Sequence, residues 1–444
     1  MDLPTLRPSH SSIFRELFAL LPTSWERSGG FLGPCQVWLT LLRMSVGGKK
    51  GYGRALQEMK VTMGRHFGWD GERPSPSALS QARKKLSREL CDATFTQIAA
   101  QCTAARETPR VQFAGRRLVA CDGTSLTLPV RQKLRDHFGV PRCSHGDCLA
   151  PQAALTVLFD VGAHQPIAFS LERCRYSERQ ALLDLEHHLR PGDLLIADRG
   201  YPSRELFARL RGKKHDFLIR ASAVHANSIA EFRRFLSGGK DEDTIDLPLL
   251  RQAQRQAGTG ADTVSVRLIR FRDNSVLVTT LTSTEATADA LRALYLDRWG
   301  IETAFGEMKG ARGLEDFHAR TPLGIHQEVT AIFLFMLLES ELEGRARQHH
   351  AAEITATAPT TTQPRQAADV RFNRLMLGDW VVYLLLAATK SKRALNDTLD
   401  DAIKDLWRSR MRYKPRRSFP RETKSPHGKW RLKPRITGKT VRLA

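Results

Sequence analysis

Apolar positions recur near helical spacing through the first quarter of the chain, then give way to short apolar runs bounded by acids and glycines. Phe14–Leu21, Cys35–Met44, Arg54–Phe67, Ala78–Leu90 and Cys91–Ala105 carry the helical pattern. Gly68, Gly71 and Pro74 part the third helix from the fourth. Ser75 followed by Pro76 is a helix start, because proline at the first helical position gives up only an amide that has no partner there. The fourth helix then presents Ser80, Gln81, Arg83, Lys84 and Lys85. These residues read either as a helix-turn-helix with a basic second helix or as a small helical bundle with a basic face.

From Arg117 onward the period shortens. Arg117–Asp122 reads as an apolar strand ending on an acid, and Gln152–Asp160 and Pro166–Glu172 as two strands joined at Gly162. Ser177-x-x-Gln180 is a capping-box start for a helix through Leu189. Asp193–Ala197 is a strand ending at Asp198, Ser203 opens a short helix, and Asp216–Ala221 is a further strand. The order β-β-β-α-β-α-β is a meander followed by βαβ units, and the fold class is α/β. Residues 225–285, broken by Gly238, Gly239, Gly258 and Gly260, add strands at Thr263–Phe271 and Ser275–Leu281 and read as a β-rich insertion. A long helix from Thr287 to Lys309 follows, then Val329–Arg345 and, after an Ala-, Thr- and Pro-rich linker at His349–Ala368, the helix Phe372–Thr389.

The predicted organisation is an all-α N-terminal DNA-binding domain (1–110), a catalytic core in two parts (111–224 and 286–404) around the insertion (225–285), and a basic tail (405–444). The apolar runs Val329–Leu338 and Trp380–Ala388 are about half of the ~20 residues a bilayer requires, so they are expected to be core helices. The N-terminus lacks the basic and apolar regions of a signal peptide, which points to a cytoplasmic protein with no membrane partner. Seven cysteines are scattered, and Cys143 and Cys148 have no second ligand pair at zinc spacing.

Charge changes the picture. The chain of 444 residues carries a formal net charge of +22. Its end concentrates that charge: Trp407–Ala444 holds 14 Lys and Arg against one acid, Glu422, with Trp407, Tyr413, Phe419 and Trp430 among them. Such a segment is suited to neutralising phosphates and stacking on bases; a solvated tail that keeps the protein soluble is the alternative.

Three carboxylates stand out by position. Asp122 and Asp198 end the first and fourth strands, and Glu302 lies in the long helix. If the strands follow the RNase H-like arrangement, the first and fourth are neighbours and their ends converge. Three hard oxygen ligands suit Mg²⁺ or Mn²⁺, and a two-metal site with ions about 3.5–4 Å apart supports in-line phosphoryl transfer. On a continuous helix at about 100° per residue, Tyr295, Arg298, Glu302 and Lys309 share one face. A carboxylate flanked by two cations and a phenol suits a metal ligand beside phosphate clamps; a solvated face with an Arg298–Glu302 pair is the alternative.

Asp122-Gly123-Thr124 resembles the first-acid motif of insertion-sequence transposases, and Asp198-Arg199-Gly200-Tyr201 their second. Tyr295-x2-Arg298-x3-Glu302-x6-Lys309 resembles the Y-R-E-K signature of insertion-sequence family four, with Trp299, Ile301 and Phe305 around it. The stretch Ser77–Arg83 and the basic C-terminus are also similar to that family. The resemblance implies an RNase H-like catalytic core and a DDE transposase. Asp122, Asp198 and Glu302 would be its catalytic, metal-binding acids, with two Mg²⁺ per site and Mn²⁺ as a substitute. It further implies a homodimer on paired ends, acting on double-stranded DNA at terminal inverted repeats and at a target. Tyr295, Arg298 and Lys309 would contact that DNA at the scissile phosphate. Arg199, Tyr201, Gln81, Arg83, Lys84 and Lys85 are further DNA-contact candidates. Arg220 is either a DNA contact or a structural ion-pair partner. Phe232, Phe235 and Phe271 offer rings for a flipped base or for the core. The alternative reading is a catalytically inactive, transposase-derived DNA-binding protein; a metal-dependent nuclease on the same fold is a third.

Overall fold

The computed structural model describes residues 13–21, 32–45, 51–67, 71–104, 112–143, 146–224, 229–249, 254, 262–296, 299–310, 312–350 and 370–412. Eight strands form the body of one mixed sheet: β1 (Arg116–Thr127), β2 (Gln152–Asp160), β3 (Gln165–Arg173), β4 (Leu194–Ala197), β5 (Asp216–Ala221), β6 (Glu242–Pro248), β7 (Thr263–Arg270) and β8 (Val276–Thr279). Their spatial order is β3-β2-β1-β4-β5-β8-β7-β6, and a ninth short strand, Gln112–Phe113, pairs with β1.

The helices are α1 (Ile13–Ala19), α2 (Pro34–Met44), α3 (Tyr52–Phe67), α4 (Pro76–Ala82), α5 (Arg88–Ala104), α6 (Gln132–Phe138), α7 (Glu178–Leu185), α8 (Arg204–Gly212), α9 (Ala230–Ser237), α10 (Ala288–Leu296), α11 (Trp299–Gly310), α12 (Pro322–His349), α13 (Arg374–Lys390) and α14 (Lys392–Arg408).

The central strands are apolar on both faces because both faces are covered. Alternate residues of β1, β4 and β5 divide between two clusters, as the two-residue repeat of a strand requires. Val119, Cys121, Leu195, Ala197, Phe217 and Ile219 pack with Leu182 and Leu185 of α7 and Leu206, Phe207 and Leu210 of α8. Leu118, Leu194, Ile196 and Leu218 face the other way, onto Leu291, Leu294 and Tyr295 of α10. A third and larger cluster joins α1, α2 and α5 to β2 and to α12, α13 and α14.

The strands of residues 225–285 join the main sheet: β8 pairs antiparallel with β5 (Val276↔Ala221) and extends it through β7 to β6. The N-terminal helices share one core with α12. Two helix expectations change. The helix expected over Ala78–Leu90 stops at Ala82, runs through a 3-10 turn at Arg83–Lys85, and breaks where Leu86 adopts an extended conformation (φ −81°, ψ 98°). The helix expected over Thr287–Lys309 is two helices, α10 and α11, with residues 297 and 298 outside the described set. In addition, Ser177 makes no side-chain cap to α7, since Gln180 turns to Asp184 (2.9 Å).

Helix α12 is the spine. It is long and apolar enough to cross a membrane, but 94% of its apolar window is buried inside the molecule, which makes it the core helix that the run Val329–Leu338 implied. Most of its buried polar groups are matched, as burial favours, although Arg345 Nη2 and His349 Nδ1 find no hydrogen-bond partner. Arg83 pairs with Glu328 (2.8 Å), Arg312 with Glu339, and Arg374 with Glu343 (3.0 Å). His326 meets Asp92 of α5 (2.6 Å), and Ser340 donates to the carbonyl of Ala163 in the β2–β3 turn (2.6 Å).

Candidate active site

The site opens where β4 stops. β1 runs on to Thr127 against β2, pairing Asp122 with Val157, but its parallel pairing with β4 ends at Cys121↔Ala197. The next residue of each strand is therefore Asp122 and Asp198, side by side at the same end of the sheet. Both are half-buried. The backbone amide of Gly123 donates to Asp122 Oδ1 (2.9 Å), which fixes one oxygen of that carboxylate.

Two residues of the four-residue signature come to these acids. The Tyr295 hydroxyl donates to Asp198 Oδ1 at 3.0 Å. Tyr295 is buried in the cluster beneath β4, so its oxygen reaches Asp198 from the core side. Its ring meets Phe271 edge-on (centroids 5.5 Å apart), and the Arg220 guanidinium lies over Phe271 at 5.5 Å. From α11, Lys309 Nζ donates to Thr124 Oγ1 (2.8 Å) and to the Ser125 carbonyl (2.9 Å). That contact ties α11 to β1 just beyond Asp122. The loop after α11 adds a second tie, as the Thr127 amide donates to Glu315 Oε1 (2.9 Å). Arg298 and the side chain of Glu302 lie outside the described residues; the backbone of Glu302 belongs to α11.

A third acid at this end escaped the sequence reading. Glu178, the first residue of α7, sets its carboxylate against the backbone at Gly123 and Gly200, on the α7 face of β1. A Cβ placed on Gly123 would lie 2.5 Å from Glu178 Oε1, and one on Gly200 would lie 2.9 Å from Oε2. Partial burial, and after it the charge of Asp198, hold the Glu178 carboxyl above its ordinary pKa.

Other candidates fall elsewhere. Tyr201, expected at DNA, is fully buried among α7, α8 and the central strands, and its hydroxyl accepts from Cys121 Sγ (3.5 Å). A ring there fills the core and cannot reach a nucleic acid. Arg83, also expected at DNA, is buried: it donates to Gln327 Oε1 (2.8 Å), Glu328 Oε1 (2.8 Å), the Gly324 carbonyl (2.9 Å) and the Tyr52 hydroxyl. A guanidinium so engaged is an internal anchor. Its neighbours Gln81, Lys84 and Lys85 are exposed, as is Arg199 beside Asp198. Phe232 and Phe235 are core, whereas Phe271 is half-buried. Trp407, read as part of the tail, is buried at the end of α14 and stacks on His350 (4.1 Å, 2°).

The donor set at the strand ends is carboxylate oxygen from Asp122 and Asp198, the ligand type of a hard divalent cation and not of zinc or copper. It fits Mg²⁺ or Mn²⁺. Among the described residues no three His, Cys, Asp or Glu side chains are grouped as a metal cage, and the third acid expected from the sequence, Glu302, is not among them.

A mixed α/β protein with paired aspartates at the end of its central parallel strands is the class that fold and site define. The sequence matches the family described as "Transposase DDE domain" over residues 114–338, half of the chain, and the chain belongs to that family. None of the curated proteins matches it. A solved structure, the cryo-EM structure of a piggyBac transposase synaptic complex with hairpin DNA, aligns with 88% of this chain and 84% of that one at 9% identity and a TM-score of 0.43. A score that low carries no argument about this molecule.

Proposed function

We propose that the protein is an active DNA transposase with an RNase H-like core. It would cut at transposon ends by metal-dependent hydrolysis and join the freed 3′-hydroxyl to a target, in the cut-and-paste manner of insertion-sequence family four. The observation that carries this reading is the side-by-side placement of Asp122 and Asp198, with Tyr295 and Lys309 beside them, in a chain of the DDE transposase family.

In this reading Asp122, Asp198 and Glu302 hold two divalent cations, Mg²⁺ or Mn²⁺. When bound, such ions lower the pKa of an attacking water or 3′-hydroxyl and offset charge on the leaving oxygen. The chain's own residues do the rest. Tyr295 orients the Asp198 carboxylate through its hydrogen bond. Lys309 fixes α11 against β1, which holds the helix bearing Glu302 in register with Asp122. Arg199, exposed beside Asp198, and Arg298 provide cations for the phosphates on either side of the cut, where fixed charge favours the transition state. Gln81, Lys84 and Lys85 form a polar and basic exposed turn for duplex contact. Two chains on paired ends complete the assembly.

The test uses a supercoiled plasmid bearing the DNA that flanks the gene on both sides. Purified protein is added with and without Mg²⁺, beside Asp122→Asn, Asp198→Asn and Glu302→Gln, and the ends formed are sequenced. Mg²⁺-dependent breaks at the repeat ends, lost by at least 10³-fold in each variant, are expected on the scale of losing a group that acts only in the transition state. End binding without cleavage would establish the inactive, DNA-binding alternative. Nicking that survives all three changes would move the active site elsewhere.

A further inference from the structure

We propose that Glu307 is a positioning residue for this site: held by His164 of the β2–β3 turn and Arg374 of α13, it sets the rotation of α11 and with it the place of Glu302 beside Asp122. The proposal rests on the reading, given above, of Glu302 as the third acid.

Helix α11 is gripped on two sides. On one, Lys309 docks on Thr124 (2.8 Å) and the Ser125 carbonyl (2.9 Å) of β1. On the other, Glu307 Oε2 meets His164 Nε2 at 3.2 Å and Arg374 Nε at 4.0 Å. At about 100° per residue, position 307 stands about 160° around the helix from position 309 and about 140° from position 302. Ala304, Phe305 and Met308 seat α11 in the large core. That packing is non-directional, so it holds the helix down without fixing its turn about its own axis. A hydrogen bond fixes direction as well as distance.

The groups that hold Glu307 are themselves held. The Ala163 amide donates to Asp160 Oδ1 (2.8 Å), and the Ala163 carbonyl accepts from Ser340 Oγ of α12 (2.6 Å), which anchors the turn. His164 adopts a left-handed backbone (φ 52°), and its ring stands edge-on to Phe159 (centroids 5.3 Å apart). Glycine would relieve the backbone there but would give up the contact with α11. Arg374 is bound in turn to Glu343 of α12 (3.0 Å). Past the end of α11 the Arg312 amide donates to the Glu307 carbonyl (3.1 Å), and the Arg312 side chain pairs with Glu339 above the Phe335 ring (5.1 Å). The cavity between His164, Glu307, Arg312, Glu339 and Arg374 has about 10 Å³ of room, enough for one water at most. Burial pushes the Glu307 carboxyl up, but its bond and ion pair with His164 and, after them, the charges of Arg374 and Arg312 outweigh that and hold it below its ordinary pKa.

The test compares the full-length wild type with Glu307→Gln, His164→Asn and the double variant. Glutamine keeps the size of Glu307 and removes its charge. Asparagine accepts a left-handed backbone and is too short to reach α11. Without DNA or metal, amide exchange across residues 303–310 is expected to quicken in each variant. On the plasmid, the Mg²⁺ concentration for half-maximal end cleavage is expected to rise about tenfold, on the scale of losing a group that orients a metal ligand, while affinity for an end duplex stays at the wild-type value. The double variant should need no more Mg²⁺ than either single one, because both changes break one contact.

A rate lowered by the same factor at every Mg²⁺ concentration would mean lost folded protein without displacement of the site, and would overturn the proposal. So would a wild-type Mg²⁺ requirement in Glu307→Gln beside a wild-type chain that cuts, an outcome that leaves the transposase reading standing. A wild-type chain that makes no end breaks with Mg²⁺ present would overturn that reading and this one together. Should Glu307→Gln fail to fold, His164→Asn decides: unchanged exchange and an unchanged Mg²⁺ requirement there overturn the proposal.

Discussion

A single hydroxyl links the core of this protein to its candidate chemistry. Tyr295 is buried among Leu118, Ile196 and Leu294, and only its oxygen emerges, onto Asp198. The sequence places a tyrosine at a fixed distance from Glu302 and so suggests a DNA contact, but the structure gives the hydroxyl to an acid of the same chain. Tyr295→Phe keeps the ring and its edge-on contact with Phe271 while removing one hydrogen bond to a charged group, worth about 1.5–3 kcal/mol. The expected result is a folded protein whose plasmid-end cleavage slows about 10- to 100-fold, with duplex affinity unchanged. Affinity that falls in step with rate would instead return Tyr295 to the DNA interface. Lys309 makes the matching case from the other side of the site. Its ammonium is half-buried and docks on Thr124 and the Ser125 carbonyl, so Lys309→Met should loosen α11 from β1. Faster amide exchange across residues 303–310 would report that loosening; unchanged exchange there would leave Lys309 as a phosphate contact alone.

At the scale of elements, burial decides what a basic residue does. Arg83 follows α4 in a run with Lys84 and Lys85, yet it turns inward to α12 while they turn out. Removing one partner of a buried ion pair leaves the other charge without compensation, at a cost of about 3–5 kcal/mol. Arg83→Ala is therefore expected to lower the urea midpoint strongly, and Arg83→Met combined with Glu328→Leu to recover most of the loss. An Arg83→Ala protein as stable as its parent, but weaker on DNA, would refute the anchor role. The same contrast explains what the sequence made legible. Gln152–Asp160 and Asp216–Ala221 were readable to the residue because a short, mainly apolar run with a polar residue at its edge leaves one placement for a buried strand. The adjacency of Asp122 and Asp198 followed from strand order, which local pattern and short connections constrain. The break at Leu86 was hidden because apolar spacing continues through it, and the inward turn of Arg83 because its partners Gln327 and Glu328 are remote in sequence. α14 was missed despite Leu395, Leu399, Ala402, Ile403 and Leu406 on one face, because its many charges resemble the tail that follows. Glu178 was hidden for the most general reason: its meeting with Gly123 and Gly200 exists only once α7 has packed across the sheet.

For the whole molecule the governing quantity is charge. The folded body is held together from within by α12, whose ion pairs and hydrogen bonds join the turn after α4, α5, the segment after α11 and α13 to one core, so the arginines that face it are engaged. The sequence beyond Arg412 is different in kind: it carries eleven Lys and Arg and one acid, Glu422. Each phosphate neutralised on duplex DNA releases condensed counterions and adds about 0.9 to the slope of log K against log salt. If half of those cations meet phosphates, a chain ending at Arg412 should lose about 5 from that slope relative to the full chain. Fluorescence anisotropy on a transposon-end duplex and on an unrelated duplex, across a salt series, measures this directly. The loss should be the same on both duplexes, because phosphate contacts carry no sequence information. The ratio of the two affinities, set by the body of the protein, should then survive truncation. A slope unchanged by truncation would mean that the tail does not touch the duplex. A preserved slope with a lost ratio would make the tail a reader of sequence, and the exposed turn at Gln81, Lys84 and Lys85 would no longer be the element to mutate first.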